Sequence, residues 1–134
     1  MSKKPEHDAV AAEPITLQLE PITRAQIESF ARATRSEHYS DTPATYPTVF
    51  RWTEFRWLER LKLDLKGLLH TEQEYEYLQP LKQGDAPFVS TRLAEHRERR
   101  GMVFIDLESD VKVDGRTVVI TRSSFVIRTE GGAA

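Results

Sequence analysis

The sequence predicts an α+β domain built on an antiparallel sheet. Three observations carry this prediction. The helical signals come early, opening on a capping box at Thr23 and Gln26. The strand signals come late, with Val103, Ile105, Leu107, Val111 and Val113 alternating against Asp106, Glu108, Asp110 and Lys112. Between them lies Leu69 to Asp85, which reads as a strand closed by a Pro-containing turn. One short strand, then helices, then a run of antiparallel strands is an α+β order.

Residues 1–14 are polar, Ala-rich and without period, and read as a flexible tail. Ile15, Leu17 and Leu19 alternate with Thr16, Gln18 and Glu20, which predicts a short first strand. Thr23 then serves as N-cap, with Gln26 returning the bond and Ile22 and Ile27 placed as a hydrophobic staple. The helix they start carries Ile27, Phe30, Ala31 and Thr34 on one face and Arg24, Glu28 and Arg32 on the other. From Arg35 to Pro47 the pattern dissolves into loop chemistry.

A second helix is expected from Thr48 to about Leu63, with Phe50, Trp57, Leu58 and Leu61 on one stripe and Val49, Trp52 and Phe55 widening it. So broad an apolar surface wants cover on several sides. Arg51, Glu54, Arg56, Glu59 and Arg60 require that one side reach solvent or a partner.

In the next strand Leu69, Thr71, Gln73, Tyr75 and Tyr77 alternate with His70, Glu72, Glu74 and Glu76, one face uncharged and the other charged. Pro80 closes it, and Gly84-Asp85 turns the chain. Phe88 to His96 forms a strand, Arg97 to Gly101 a turn, and the period-2 run follows. Asp114-Gly115 makes a two-residue type I′ hairpin into a last strand, Thr117 to about Arg128. That strand is apolar on both faces and so belongs at the centre of the sheet or at an interface. Residues 15–130 form one domain and 131–134 a frayed end.

With 134 residues and no cysteine, the chain can bury a core without disulfides and has no thiol nucleophile. A net charge of -2 recruits neither nucleic acid nor an anionic membrane. The N-terminus lacks the apolar core of a signal peptide, so a soluble cytoplasmic protein is expected.

The form His-x-Glu-Gln-x-Tyr-x-Tyr followed by x-x-Pro-Leu-x-x-Gly-Asp, at His70 to Asp85, resembles the segment after the central helix in MaoC-like hot-dog proteins. It is similar to fatty-acid-synthase-like dehydratase domains and to the (R)-hydroxyacyl-thioester dehydratase subunits of mycolic-acid synthesis. The resemblance covers about Ile15 to Arg128 and implies a single hot-dog fold, an antiparallel sheet wrapped around a central helix. It also implies (R)-specific enoyl-thioester hydration or 3-hydroxyacyl dehydration, on acyl-CoA or acyl carrier protein thioesters and without a cofactor.

In such hydratases a motif Ala-x-Gly-Asp-x-Asn-Pro-x-His supplies a carboxylate and an imidazole that share the protons of the water that is added or lost. Carried onto Ala33 to Asp41, the motif has Ser36 at the Asp position, His38 at the Asn, Tyr39 at the Pro and Asp41 at the His. Both catalytic positions are lost. Glu37, His38 and Asp41 remain as a fallback dyad one position out of register; otherwise this is a solvated loop. The resemblance therefore points to an accessory subunit, without catalytic residues of its own, paired with a catalytic MaoC-like hot-dog subunit.

Tyr46, Phe50, Trp52 and Trp57 are candidates to line an acyl channel, or else are core and interface residues. Arg97, in a cluster with Arg92, His96, Arg99 and Arg100, is a candidate for the phosphates of coenzyme A or phosphopantetheine, or part of a charged strand end. His70 reads as a surface residue, and no metal site is expected. Two other readings stay open. One is a homodimeric thioesterase using Glu54 or Glu59 on the central helix; the other is a non-enzymatic acyl-thioester binding protein. Each predicts a dimer, with itself or with a partner.

Overall fold

The computed structural model describes residues 13–128. Most of the predicted tail and the frayed C-terminus lie outside them. In chain order the elements are β1 (Ile15–Gln18), α1 (Arg24–Thr34), a 3-10 turn (Tyr46–Phe50), α2 (Trp52–Arg60), β2 (Leu69–Tyr77), β3 (Phe88–Arg99), β4 (Met102–Val113) and β5 (Arg116–Arg128). The five strands form one antiparallel sheet in the order β1-β3-β4-β5-β2, wrapped around α2. This is the predicted α+β hot-dog arrangement, and β5 has a neighbour on each side.

Helix α1 begins as its sequence dictates. Thr23 Oγ1 accepts from the Gln26 N–H at 3.1 Å and Gln26 Oε1 accepts from the Thr23 N–H at 2.9 Å, while Ile22 and Ile27 are buried in one cluster. Thr23→Ala removes one of these bonds and should cost about 1 kcal/mol in chemical denaturation, with an unchanged m-value.

The second helix is shorter than expected. Pro47 has no N–H to give and sits in a 3-10 turn rather than an α-helix; Arg51 (φ -96, ψ 3) separates that turn from α2. At the far end Lys62 takes φ 56, and its N–H closes on Glu59 O at 3.0 Å, so helix growth stops. Strand β3 is longer than expected, and its turn shrinks to Arg100-Gly101, both at positive φ like Asp114-Gly115. Two-residue loops of this backbone match the right-handed twist of the strands they join.

The interior is segregated. One apolar cluster holds Ile22, Ile27, Tyr46, Phe50, Leu81, Val89, Val111, Val118 and Val119; the other holds Trp57, Leu58, Leu93, Val103, Ile105, Leu107, Phe125 and Ile127. Along β3, β4 and β5 the change from one cluster to the other is made by Thr91, Ser109, Thr121 and Ser123, all buried. A polar band thus crosses the inner face of the sheet under the start of α2.

Candidate functional site

The loop between α1 and the 3-10 turn is where the resemblance would place a dyad. Arg35 ends α1 in the left-handed conformation, and Ser36 is held back against the helix by its N–H to Ala31 O at 2.8 Å and by Oγ to Thr34 Oγ1 at 2.7 Å. Glu37, His38 and Asp41 are exposed, and among the described residues no hydrogen bond or ion pair joins them. Among the described residues no hydrogen bond or ion pair orients any of these three side chains, so nothing aims a carboxylate and an imidazole at one water.

The polar band beneath α2 was not foreseen. Glu54 is 2% exposed: its Oε1 accepts from Arg51 Nε at 3.1 Å and its Oε2 from Ser123 Oγ at 2.8 Å. Ser123 Oγ also lies 2.8 Å from Gln73 Oε1. A hydroxyl has one proton, which goes to the carboxylate, the stronger acceptor. The Gln73 amide then satisfies Ser123 when its NH2 is turned inward. The Arg51 guanidinium spans the Phe55 and Phe125 rings at 5.2 and 5.8 Å. Beside these, Thr53 Oγ1, Thr91 Oγ1 and Ser109 Oγ form a buried chain with 2.6 Å steps, and Trp57 Nε1 donates to Thr91 O at 2.7 Å. The signal was in the strands: Ser109, Thr121 and Ser123 are polar breaks at inward positions of apolar runs.

His70 is exposed, as read, but a bulge between His70 and Glu72 puts it on the opposite face from the glutamates. Opposite Phe125, His70 shares the helix-facing side with Gln73, Tyr75 and Tyr77, and its ring stacks on Phe125 at 5.0 Å. Glu72, Glu74 and Glu76 stay on the outer face. A second bulge, between Leu93 and Glu95, turns His96 inward opposite Ile105 and leaves Arg92 and Arg97 outside.

The five residues chosen as acyl- or phosphate-binding candidates do not converge. Tyr46 and Phe50 join Leu19, Ile22, Phe30 and Val49 around an open groove of about 590 Å³ between α1 and the 3-10 turn. Phe30, Tyr46 and Phe50 meet edge to face at 5.2 and 5.8 Å. Trp57 is fully buried in the other cluster, whereas Trp52 is 50% exposed beneath the Arg56 guanidinium. Arg97 lies over Phe104 at 4.4 Å and pairs with Glu95 at 2.6 Å, and Arg92 pairs with Glu108. Arg122 also holds Glu108: burial raises that carboxyl, but the two arginines outweigh it and hold it below its usual value. Burial, with Tyr75 nearby, pushes Tyr77 up to about 12, and its hydroxyl donates to Ala44 O at 2.7 Å. Of the two helix carboxylates, Glu59 is exposed and paired with Arg56. Among the described residues no group of three or more His, Asp or Glu could hold a metal ion, and no helix is long and apolar enough to cross a membrane.

No curated protein matches this chain. Solved structures do. HtdX of Mycobacterium tuberculosis matches with a TM-score of 0.74 at 24% identity, over 86% of this chain and 51% of HtdX. The C-terminally truncated HadBC (3R-hydroxyacyl-ACP dehydratase) complex of the same organism matches with a TM-score of 0.73 at 16% identity, over 86% of this chain and 96% of that one. The ChsH1–ChsH2 complex, also from M. tuberculosis, gives a TM-score of 0.73 at 14% identity, over 92% and 89%. The chain thus spans about half the length of HtdX and most of the chain matched in each complex. At these identities the likeness is one of fold. The family assignment comes from a family model, "FAS1-like, dehydratase domain region", matching residues 10–121, and the chain belongs to that family of hot-dog dehydratase domains.

Proposed function

We propose that this chain is the accessory subunit of an acyl-thioester (R)-specific enoyl hydratase or 3-hydroxyacyl dehydratase, pairing with a catalytic hot-dog subunit that supplies the Asp/His dyad. The observation that carries this reading is the dyad loop itself. Ser36 stands at the carboxylate position and is tied to α1, while Glu37, His38 and Asp41 are exposed and unconnected. The groove between α1 and the 3-10 turn supports a role in holding substrate, because an apolar trough of about 590 Å³ suits part of an acyl chain. HadBC and ChsH1–ChsH2 are complexes of the same fold, which supports a hot-dog partner here. Acyl-CoA and acyl carrier protein thioesters both fit the proposal.

A thioesterase working through Glu54 is less well supported, since Arg51 and Ser123 already occupy both oxygens of a carboxylate that is 2% exposed.

The test is hydration of an enoyl thioester such as crotonyl-CoA by the purified chain alone, then mixed with the MaoC-like protein encoded nearest to it. The chain alone should show no rate above background. The mixture should gain at least about a hundredfold, the lower end of what positioned acid-base groups contribute. Hydration by the chain alone, abolished by His38→Ala or Asp41→Ala, would instead make it a self-sufficient enzyme.

A further inference from the structure

Strand β2 ends the sheet. In the order β1-β3-β4-β5-β2 it pairs with β5 on one side and, among the described residues, with nothing on the other, so half its backbone N–H and C=O groups face outward along nine residues. That edge is about 30 Å long. Large apolar side chains are exposed along it and just beyond it, with Leu69 62% and Leu78 54% exposed. Long edges of this kind invite another strand.

We infer that Glu72, Glu74 and Glu76 decide which hot-dog domain this edge accepts: they select a partner of different sequence whose docking strand carries Lys or Arg on its outer face, and they disfavour a second copy of this chain. That the partner is a hot-dog domain rests on the accessory-subunit reading; its charge follows from geometry. Two copies joined antiparallel through β2 are related by a twofold axis perpendicular to the sheet. Such an axis keeps helix-facing side with helix-facing side and outer side with outer side. Residues opposite each other in an antiparallel pair point the same way, so every register the pleat allows that is centred between Glu72 and Glu76 sets glutamates of one copy against those of the other, and the register centred on Glu74 opposes all three.

Little is available to neutralise them. Arg122 reaches Glu74 at 3.5 Å and Glu76 at 3.2 Å, but it is already held by Glu108 at 2.8 Å. Glu72 has no ion pair among the described residues. A basic strand in the partner meets the same row with attraction in place of repulsion, which makes the row a selector of partners.

Sedimentation of the purified chain tests this without an enzyme assay. Self-association should be weak at about 50 mM salt and tighten at about 500 mM, where screening shortens the reach of the carboxylates. The triple variant Glu72→Gln, Glu74→Gln, Glu76→Gln should self-associate about tenfold or more tightly than the parent at low salt, since each opposed like-charge pair costs a fraction of a kcal/mol to about 1 kcal/mol. A copy carrying Lys at the three positions, mixed with the parent, should form a one-to-one dimer that neither forms alone. A parent dimer already tight at low salt and unmoved by the Gln variant would overturn the inference. So would failure of a folded Lys variant to pair with the parent; if that variant does not fold, the Gln variant decides. Hydratase activity of the chain alone would defeat the accessory reading and leave this charge rule standing.

Discussion

Trp57→Ala is expected to destabilise the domain by about 4 kcal/mol, the largest effect of any single change considered. The indole is 0% exposed and sits in the cluster with Leu58, Leu93, Ile105 and Phe125, so truncation removes buried apolar area and leaves a cavity that rigid strands cannot close. It also removes the 2.7 Å bond from Nε1 to Thr91 O and the ring beneath the Arg60 guanidinium, 4.4 Å away. Domains of this size are stable by roughly 5 to 15 kcal/mol, so the variant loses a large part of its margin. Trp57→Phe keeps most of the packing and gives up the hydrogen bond, for a cost of about 1 to 2 kcal/mol. Urea denaturation should show the midpoint fall in that order with the slope held. Equal losses for Phe and Ala would mean that the hydrogen bond, rather than the volume, is what Trp57 contributes.

Glu54→Ala should follow at about 3 kcal/mol. It strips the Arg51 guanidinium of its counter-ion and leaves the buried Ser123 hydroxyl without its carboxylate acceptor. Part of the loss is recovered because the Arg51 side chain is 21% exposed and can turn toward water. Glu54→Gln keeps an acceptor for Ser123 and loses only the charge, so it should cost about 1 to 2 kcal/mol. The double variant Arg51→Ala, Glu54→Ala should be less damaged than the sum of the single changes, by about 1 kcal/mol or more, because the stranded charge is gone. Strict additivity in that cycle would show that the two side chains do not act as a pair. The same measurements bear on chemistry. A carboxylate whose removal costs this much is one the fold uses, not one held free for a substrate.

The element order, the capping box at Thr23, the Asp114-Gly115 hairpin and the resemblance carried by His70 to Asp85 were legible in the sequence. Each depends on residues near one another in the chain: a cap, a turn or a period states its own structure. The loss of the Asp/His motif between Ser36 and Asp41 was legible for the same reason. What the sequence could not show is how residues distant in the chain meet. Glu54 looked like one more surface charge on an over-charged helix, and only the sheet brings Ser123, 69 positions away, to its side. The bulges before Glu72 and before Glu95 reversed the facing of His70 and His96, because one extra residue in a strand flips all that lies beyond it and leaves no local mark. The acyl-channel candidates divided for a related reason: aromatic residues close in sequence, Phe50 and Trp57, went to opposite sides of the polar band. Local chemistry decided what the elements are; long-range packing decided which faces they turn to each other, and β2 was left at the edge by strand order alone.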